Sequence, residues 1–266
     1  REVGAGVFVR RYQFFDQDIV AVVGDGELLV VDTRTTYRQA DELQADLRAL
    51  TPVPWRVVVS THEHYDHTFG NGRFRGCAIW GHERCATRML ERGEAARRKL
   101  AAEIPELADE LTEVEIVPPD HTFAEAAQIH VGGRRVELSY HGRGHTDNDI
   151  AVRIPDASVV LLGDLIEQGA PPSFGDSYPV EWPETLGRIL PSIAAGVAVV
   201  PGHGDVVDRA FVEAQAAELA ALADLARAIH AGELGHDDAA ARAPFGGQAA
   251  QTALRRGVAQ LAGTLD

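Results

Sequence analysis

The sequence predicts a mixed α+β protein, and three observations carry that reading. Strands and helices alternate through the first third, and the middle is strand-rich with two-residue turn signals. From about Arg209 the chain is Ala-rich and helical. A chain of 266 residues can bury a sizeable core, and an apolar fraction of 45% with 24% charged residues is ordinary for a globular protein. The organisation reads as one domain over residues 1–266, with a helical C-terminal extension from about residue 209.

Taken in order, Asp18–Val23 and Glu27–Val31 are apolar runs joined by Gly24-Asp25-Gly26, a hairpin signal. Ala40, Leu43, Leu47 and Leu50 recur at helical spacing until Pro52 and Pro54 stop the helix. Arg56–Ser60 reads as a buried strand and Ala78–Trp80 as a short one, followed by a charged helix from about Glu83 to Glu103 whose Arg88–Lys99 run is a solvated face. Strands are expected at Val114–Val117, Gln128–Val131, Arg134–Tyr140, Asp149–Ile154 and Ser158–Leu162, with turns at Gly132-Gly133 and Pro155-Asp156. Gly169–Pro183 is a proline-rich loop of functional length. Pro183 then fits the first turn of a helix carrying Leu186, Ile189, Leu190 and Ile193. A last buried strand, Val197–Val200, ends at Pro201-Gly202-His203, and the final helix carries a stripe of Val212, Leu219, Leu222 and Ile229. That stripe is core packing, with an oligomer contact as the lesser option.

Twenty-five basic against forty acidic residues give a formal charge of −15, which disfavours nucleic acid and anionic lipid as partners and leaves a small-molecule substrate. No apolar run approaches the roughly 18 residues needed to span a bilayer, and the N-terminus lacks the apolar core of a signal peptide. The chain does not begin with Met, so a removed leader stays open. The two cysteines, Cys77 and Cys85, form neither a CxxC pair nor a disulfide framework, and a cytoplasmic location is expected.

The sharpest feature is His62-x-His64-x-Asp66-His67 at the end of a strand. Strand side chains alternate, so the first two imidazoles point to one side, and the turn can bring the other two groups to the same space. Neutral imidazole with carboxylate suits zinc and other borderline divalent ions. Three further candidate ligands, His145, Asp164 and His203, follow strands and have small residues beside them.

This ordered series resembles the metallo-β-lactamase-fold hydrolases from Asp18 to His203, with the first hairpin ending in Val31-Asp32-Thr33. The resemblance implies a four-layer αβ/βα sandwich with the site at one edge of its two sheets. It implies two divalent metal ions, zinc being expected. His62, His64 and His145 would bind the first, Asp66, His67 and His203 the second, and Asp164 would bridge them. It implies a binuclear hydrolase in which a bridging hydroxide attacks an ester, thioester, lactone or amide carbonyl, with catalytic Asp66 orienting the nucleophile and passing a proton to the leaving group.

Departures from the family pattern narrow the substrate. The true metallo-β-lactamases place Cys where this chain has Asp164, and three residues later a Lys that binds the drug carboxylate, where this chain has Glu167. Glu167 is therefore expected beside the substrate, repelling anionic β-lactams. Phe174, Tyr178 and Trp182 are expected either to wall the substrate pocket or to anchor the loop. A mononuclear-iron sulfur dioxygenase of the same fold and a weak β-lactamase are the alternatives. Asp32 is read as a structural carboxylate, and His141 as the remaining histidine nearest the series.

Overall fold

Apolar runs with little polar alternation require a sheet covered on both faces, and the N-terminal half contains several. The structure, a computed structural model, describes residues 1–265. The chain forms two compact units, one of Arg1–Tyr140 with Val152–Val159, the other of His141–Ala151 with residues from Val160 onward.

In the first unit, β1 (Glu2–Gly4), β2 (Val7–Tyr12), β3 (Gln17–Val23) and β4 (Leu28–Val31) form an antiparallel meander. Helix α1 (Tyr37–Leu50), capped by the Thr36 hydroxyl on the Gln39 amide, returns the chain to β5 (Trp55–Val59), which pairs parallel with β4. The short helix α2 (Tyr65–Thr68) leads to β6 (Ala78–His82), and α3 (Glu83–Glu103) with α4 (Ala108–Thr112) leads to β7 (His121–Phe123). Strands β5, β6 and β7 continue the parallel run. The hairpin of β8 (Ala126–Val131) and β9 (Arg134–Tyr140) turns at Gly132-Gly133, both at positive φ.

The core follows from that pairing. Ala40, Leu43 and Leu47 of α1 pack on Ile19, Ala21, Leu28, Val30 and Val58 of the sheet. Leu50, on the expected stripe, is instead 40% exposed, because the helix ends there. Helix α3 buries Cys85, Met89, Gly93 and Leu100 and turns its charged run outward, as its spacing implied. One expectation fails and two strands were not foreseen. Val114–Val117 makes no strand: Val114 is drawn into the cluster around α3 and α4, and Pro118-Pro119 removes two backbone donors. Strands β1 and β2 escaped notice because Arg10 and Arg11 interrupt the apolar pattern on the exposed part of β2.

The second unit starts at His141 and includes the first two residues of β10 (Ile150–Ile154). It resumes within β11 (Val159–Glu167) and continues through α5 (Trp182–Ile189), β12 (Ala198–His203), α6 (Arg209–His230), α7 (His236–Arg242) and α8 (Gly247–Leu261). Its core joins Val160, Leu162 and Leu165 to Trp182, Leu186, Val212, Leu219, Leu222 and Leu254. Pro183 sits in the first turn of α5, where its missing N–H costs nothing. Of the expected stripe on α6, Ile229 is only half-buried. Among the described residues no helix is long and apolar enough to cross a membrane.

Gly70 shows how tightly the first unit is closed. A Cβ there would lie 1.9 Å from the Thr33 carbonyl oxygen and 3.0 Å from the Ala40 Cβ. Overpacking of this kind costs typically about 1–3 kcal/mol. Gly70→Ala should therefore lower Tm by at least ~2 °C in a thermal melt. An unchanged Tm would mean that the loop carrying Thr33 is loose.

Candidate metal centre

Parallel strands deliver the loops at their C-terminal ends to one edge. In the first unit, β4 ends at Val31, immediately before Asp32, and β5 ends at Val59, immediately before Ser60, Thr61 and His62. Asp32, at φ 65, lies in the left-handed region that Asp tolerates better than most residues. Its buried carboxylate accepts from the Thr61 amide (2.8 Å) and hydroxyl (2.9 Å) and from His67 Nδ1 (2.8 Å). The Thr61 hydroxyl spends its only proton on Asp32, so at 3.1 Å it accepts from His62 Nδ1. Proton bookkeeping therefore leaves the lone pair of both His62 and His67 on Nε2, the tautomer a metal ligand needs.

The neighbouring ligands follow from the turn. His62 and His64 bring ligating nitrogens within 4.8 Å of one another, and the His62 ring lies 4.7 Å from that of His64 and 4.3 Å from that of His67. Asp66 and His67 lie on α2, where an Asp66 carboxylate oxygen is 3.5 Å from His67 Nε2. Gln17 donates to the Asp66 carbonyl, and Thr33 donates from its amide to the His67 carbonyl at 2.8 Å. These two bonds hold the α2 turn from the β3 and β4 sides. The motif thus brings His62, His64, Asp66 and His67 together in one unit.

The second unit brings His145, Asp164 and His203 together. One Asp164 oxygen, Oδ2, is 3.4 Å from His145 Nε2 and 3.2 Å from His203 Nε2. His145 Nδ1 donates to the Ser173 carbonyl at 3.2 Å, which again leaves the lone pair on Nε2. Gly202 is necessary beside them: a Cβ there would lie 1.8 Å from Asp164 Oδ1. The loop carrying His145 is pinned by Asp149, which accepts from the Thr146 amide (2.7 Å) and hydroxyl (2.9 Å).

The residues expected around the substrate turn out differently. Glu167 turns inward, its side chain 10% exposed; its carboxylate accepts from the Ser173 amide at 2.7 Å and lies 3.7 Å from His145 Nδ1. Phe174 and Trp182 are core residues rather than pocket walls, meeting edge to face with ring centres 5.6 Å apart, with Trp182 Nε1 donating to the Leu165 carbonyl. Tyr178 is buried under the Arg143 guanidinium, whose carbon is 4.4 Å from the ring centre. All three anchor the loop because their aromatic area is too large to leave in water. His141 is in none of the groups of ligating side chains among the described residues.

Sequence reasoning passed over a network behind this loop. The Arg143 guanidinium holds the Glu181 carboxylate with two hydrogen bonds, the Nε one at 2.9 Å. Gln260 donates to Glu181 at 2.9 Å and accepts from the Val180 amide at 2.9 Å. Burial, the largest single effect, pushes the Glu181 carboxyl up, but the hydrogen bonds from Arg143 and Gln260 and the charges of Arg143 and Arg188 together outweigh it and hold the group below its ordinary value. Nothing in the spacing of these residues advertises them. They are single polar residues tens to a hundred positions apart.

The chain belongs to the metallo-beta-lactamase superfamily, whose family model matches residues 12–238. Among curated proteins it is 26% identical over 158 residues to a metallo-beta-lactamase type 2 of Bacillus cereus, covering 58% of this chain and 54% of that protein. It is 27% identical over 158 residues to the type 2 protein of Bacillus sp. (strain 170), with the same coverage. The chain thus spans about half the length of the curated relatives it matches. Among solved structures, a metallo-beta-lactamase from Pontibacter korlensis is 22% identical with TM-score 0.65, over 82% of this chain and 97% of that one. The DIM-1 metallo-beta-lactamase is 18% identical with TM-score 0.65, over 82% and 94%. That likeness shows the fold, which is the one expected from the motif series.

Asp32→Asn tests the proton order. The amide keeps the shape but presents N–H donors to donors, so the His67 tautomer that ligates loses its support. Loss of such an outer partner costs typically about 10–100-fold in metal affinity. Zinc titration against a competing chelator should show a loss in that range. Wild-type affinity in the variant would overturn the assignment.

Proposed function

We propose that His62, His64, Asp66, His67, His145, Asp164 and His203 hold two divalent ions, zinc by donor type, and that the protein hydrolyses a neutral ester, thioester, lactone or amide. One observation carries the reading: acceptor faces acceptor. His67 Nε2 faces the Asp66 carboxylate at 3.5 Å, and His145 Nε2 faces that of Asp164 at 3.4 Å, while the Nδ1 atoms of both rings are committed as donors. Lone pairs turned on one another in buried surroundings call for a cation between them. The donor set of imidazole nitrogen and carboxylate oxygen matches zinc.

Two such ions supply Lewis acidity, polarising a carbonyl and making water nucleophilic near neutral pH. The protein's own part is positional. Asp32 fixes two imidazoles, and Ser173 fixes a third. The Asp66 carboxylate takes the proton that the nucleophile loses and returns it to the leaving group. Where the true metallo-β-lactamases supply a Lys for an anionic substrate this chain has Glu167, turned inward to the Ser173 amide beside His145, so that position offers no cation to a substrate carboxylate. We also read the protein as cytoplasmic, because its two cysteines, Cys77 and Cys85, are spaced neither as a CxxC pair nor as a disulfide framework.

Metal analysis with a panel of chromogenic substrates tests the reading. Protein never exposed to chelator should carry two zinc ions per chain, turn over 4-nitrophenyl esters or thioesters, and hydrolyse nitrocefin at least tenfold less efficiently. Asp66→Asn should keep much of the first metal and lose about 10²–10⁴ in rate. One iron and no zinc would overturn the reading in favour of a sulfur dioxygenase. Efficient nitrocefin turnover would overturn the substrate class.

A further inference from the structure

Helix α8 lies beyond residue 238, where the match to the family model ends. It is held rigidly on α6: a Cβ at Gly257 would come 2.7 Å from that of Ala226. From this fixed position two side chains reach the proline-rich loop. Arg256 donates to the Ser177 carbonyl at 2.7 Å, and Gln260 binds both the Val180 amide and the Glu181 carboxylate at 2.9 Å. Glu181 in turn holds Arg143, which lies over the Tyr178 ring, and the Tyr178 amide donates to the Gly144 carbonyl at 2.8 Å. A continuous chain of bonds therefore runs from α8 to the residue preceding His145.

Arg143 is the cation nearest in sequence to His145, two positions before it. A substrate carboxylate seeking that guanidinium would have to displace Glu181, which Gln260 holds in place. Exchanging one bidentate carboxylate for another gains nothing. We propose that Gln260 and Glu181 form a specificity clamp that keeps Arg143 occupied and so reserves the site for neutral acyl substrates. This rests on the hydrolase reading above and assigns the C-terminal helix a part in it. Gln260 acts as a positioning residue, since it works through Glu181.

The test compares 4-nitrophenyl acetate with mono-4-nitrophenyl succinate, which differ by one carboxylate. Glu181→Gln should raise the ratio of kcat/KM for the anionic over the neutral ester at least tenfold, with metal content unchanged. Gln260→Ala should raise it in the same direction and speed Val180 amide exchange by tenfold or more. Adding Arg143→Ala to Glu181→Gln should abolish the gain. A ratio unmoved in both single variants, or a gain that survives loss of Arg143, overturns the clamp. If the fully metallated protein hydrolyses neither ester, it is the hydrolase reading that fails, and amide exchange decides the clamp by itself. Wild-type exchange at Val180 in Gln260→Ala would then overturn it.

Discussion

The carboxylate of Asp32 is the constraint around which the first unit's chemistry is arranged. It directly follows β4, takes three donors at 2.8–2.9 Å, and through Thr61 reaches a fourth. Buried donors left without it would cost about 1–3 kcal/mol each. The backbone supports the same point: Asp32 and Arg34 both lie at positive φ, 65 and 72, and such strain persists only where surroundings enforce it. Arg34 is enforced by the Tyr12 ring 3.7 Å away and by the Gln39 carbonyl and Glu42 carboxylate. The strained loop then bonds back to the α2 turn through Thr33 and to Gly70 through the Arg34 carbonyl. Sheet pairing, loop strain and the histidine tautomers are thus one problem with one solution.

The second unit solves a parallel problem by different means. Its central carboxylate is that of Asp164. It sits between two imidazoles with Gly202 pressed against it. Orientation of His145 comes from the proline-rich loop, through the Ser173 carbonyl, and Glu167 holds that same residue by its amide. The position of the loop consequently governs a candidate ligand. That explains why so much side-chain area is spent on anchoring it: Phe174, Tyr178 and Trp182 are all buried.

Legibility in the sequence followed the range of the interaction. The His62–His67 motif was readable because its members are neighbours, and the strands beneath the later ligands were readable from apolar runs. Asp32 was recognisable as structural, though not as the acceptor of a particular His67 proton. The long-range polar partners were silent: Gln17 to Asp66, Gln260 to Glu181 and Glu181 to Arg143 leave no periodicity. Aromatic residues in a long loop look the same whether they line a pocket or fill a core, and only packing separates the two. The family pattern singles out the position of Glu167, but the direction of its side chain depends on a hydrogen bond from Ser173 that spacing does not encode.

The most direct measurement of the central claim is the protonation of the histidine rings in metal-free protein. Long-range ¹⁵N–¹H correlation spectra near pH 7.5 distinguish an Nδ1–H ring from an Nε2–H ring. The account predicts Nδ1–H for both His62 and His67, and loss of that form at His67 in Asp32→Asn. An Nε2–H tautomer at either ring in the wild type would contradict the proposed proton order and the metal-ligating role built on it.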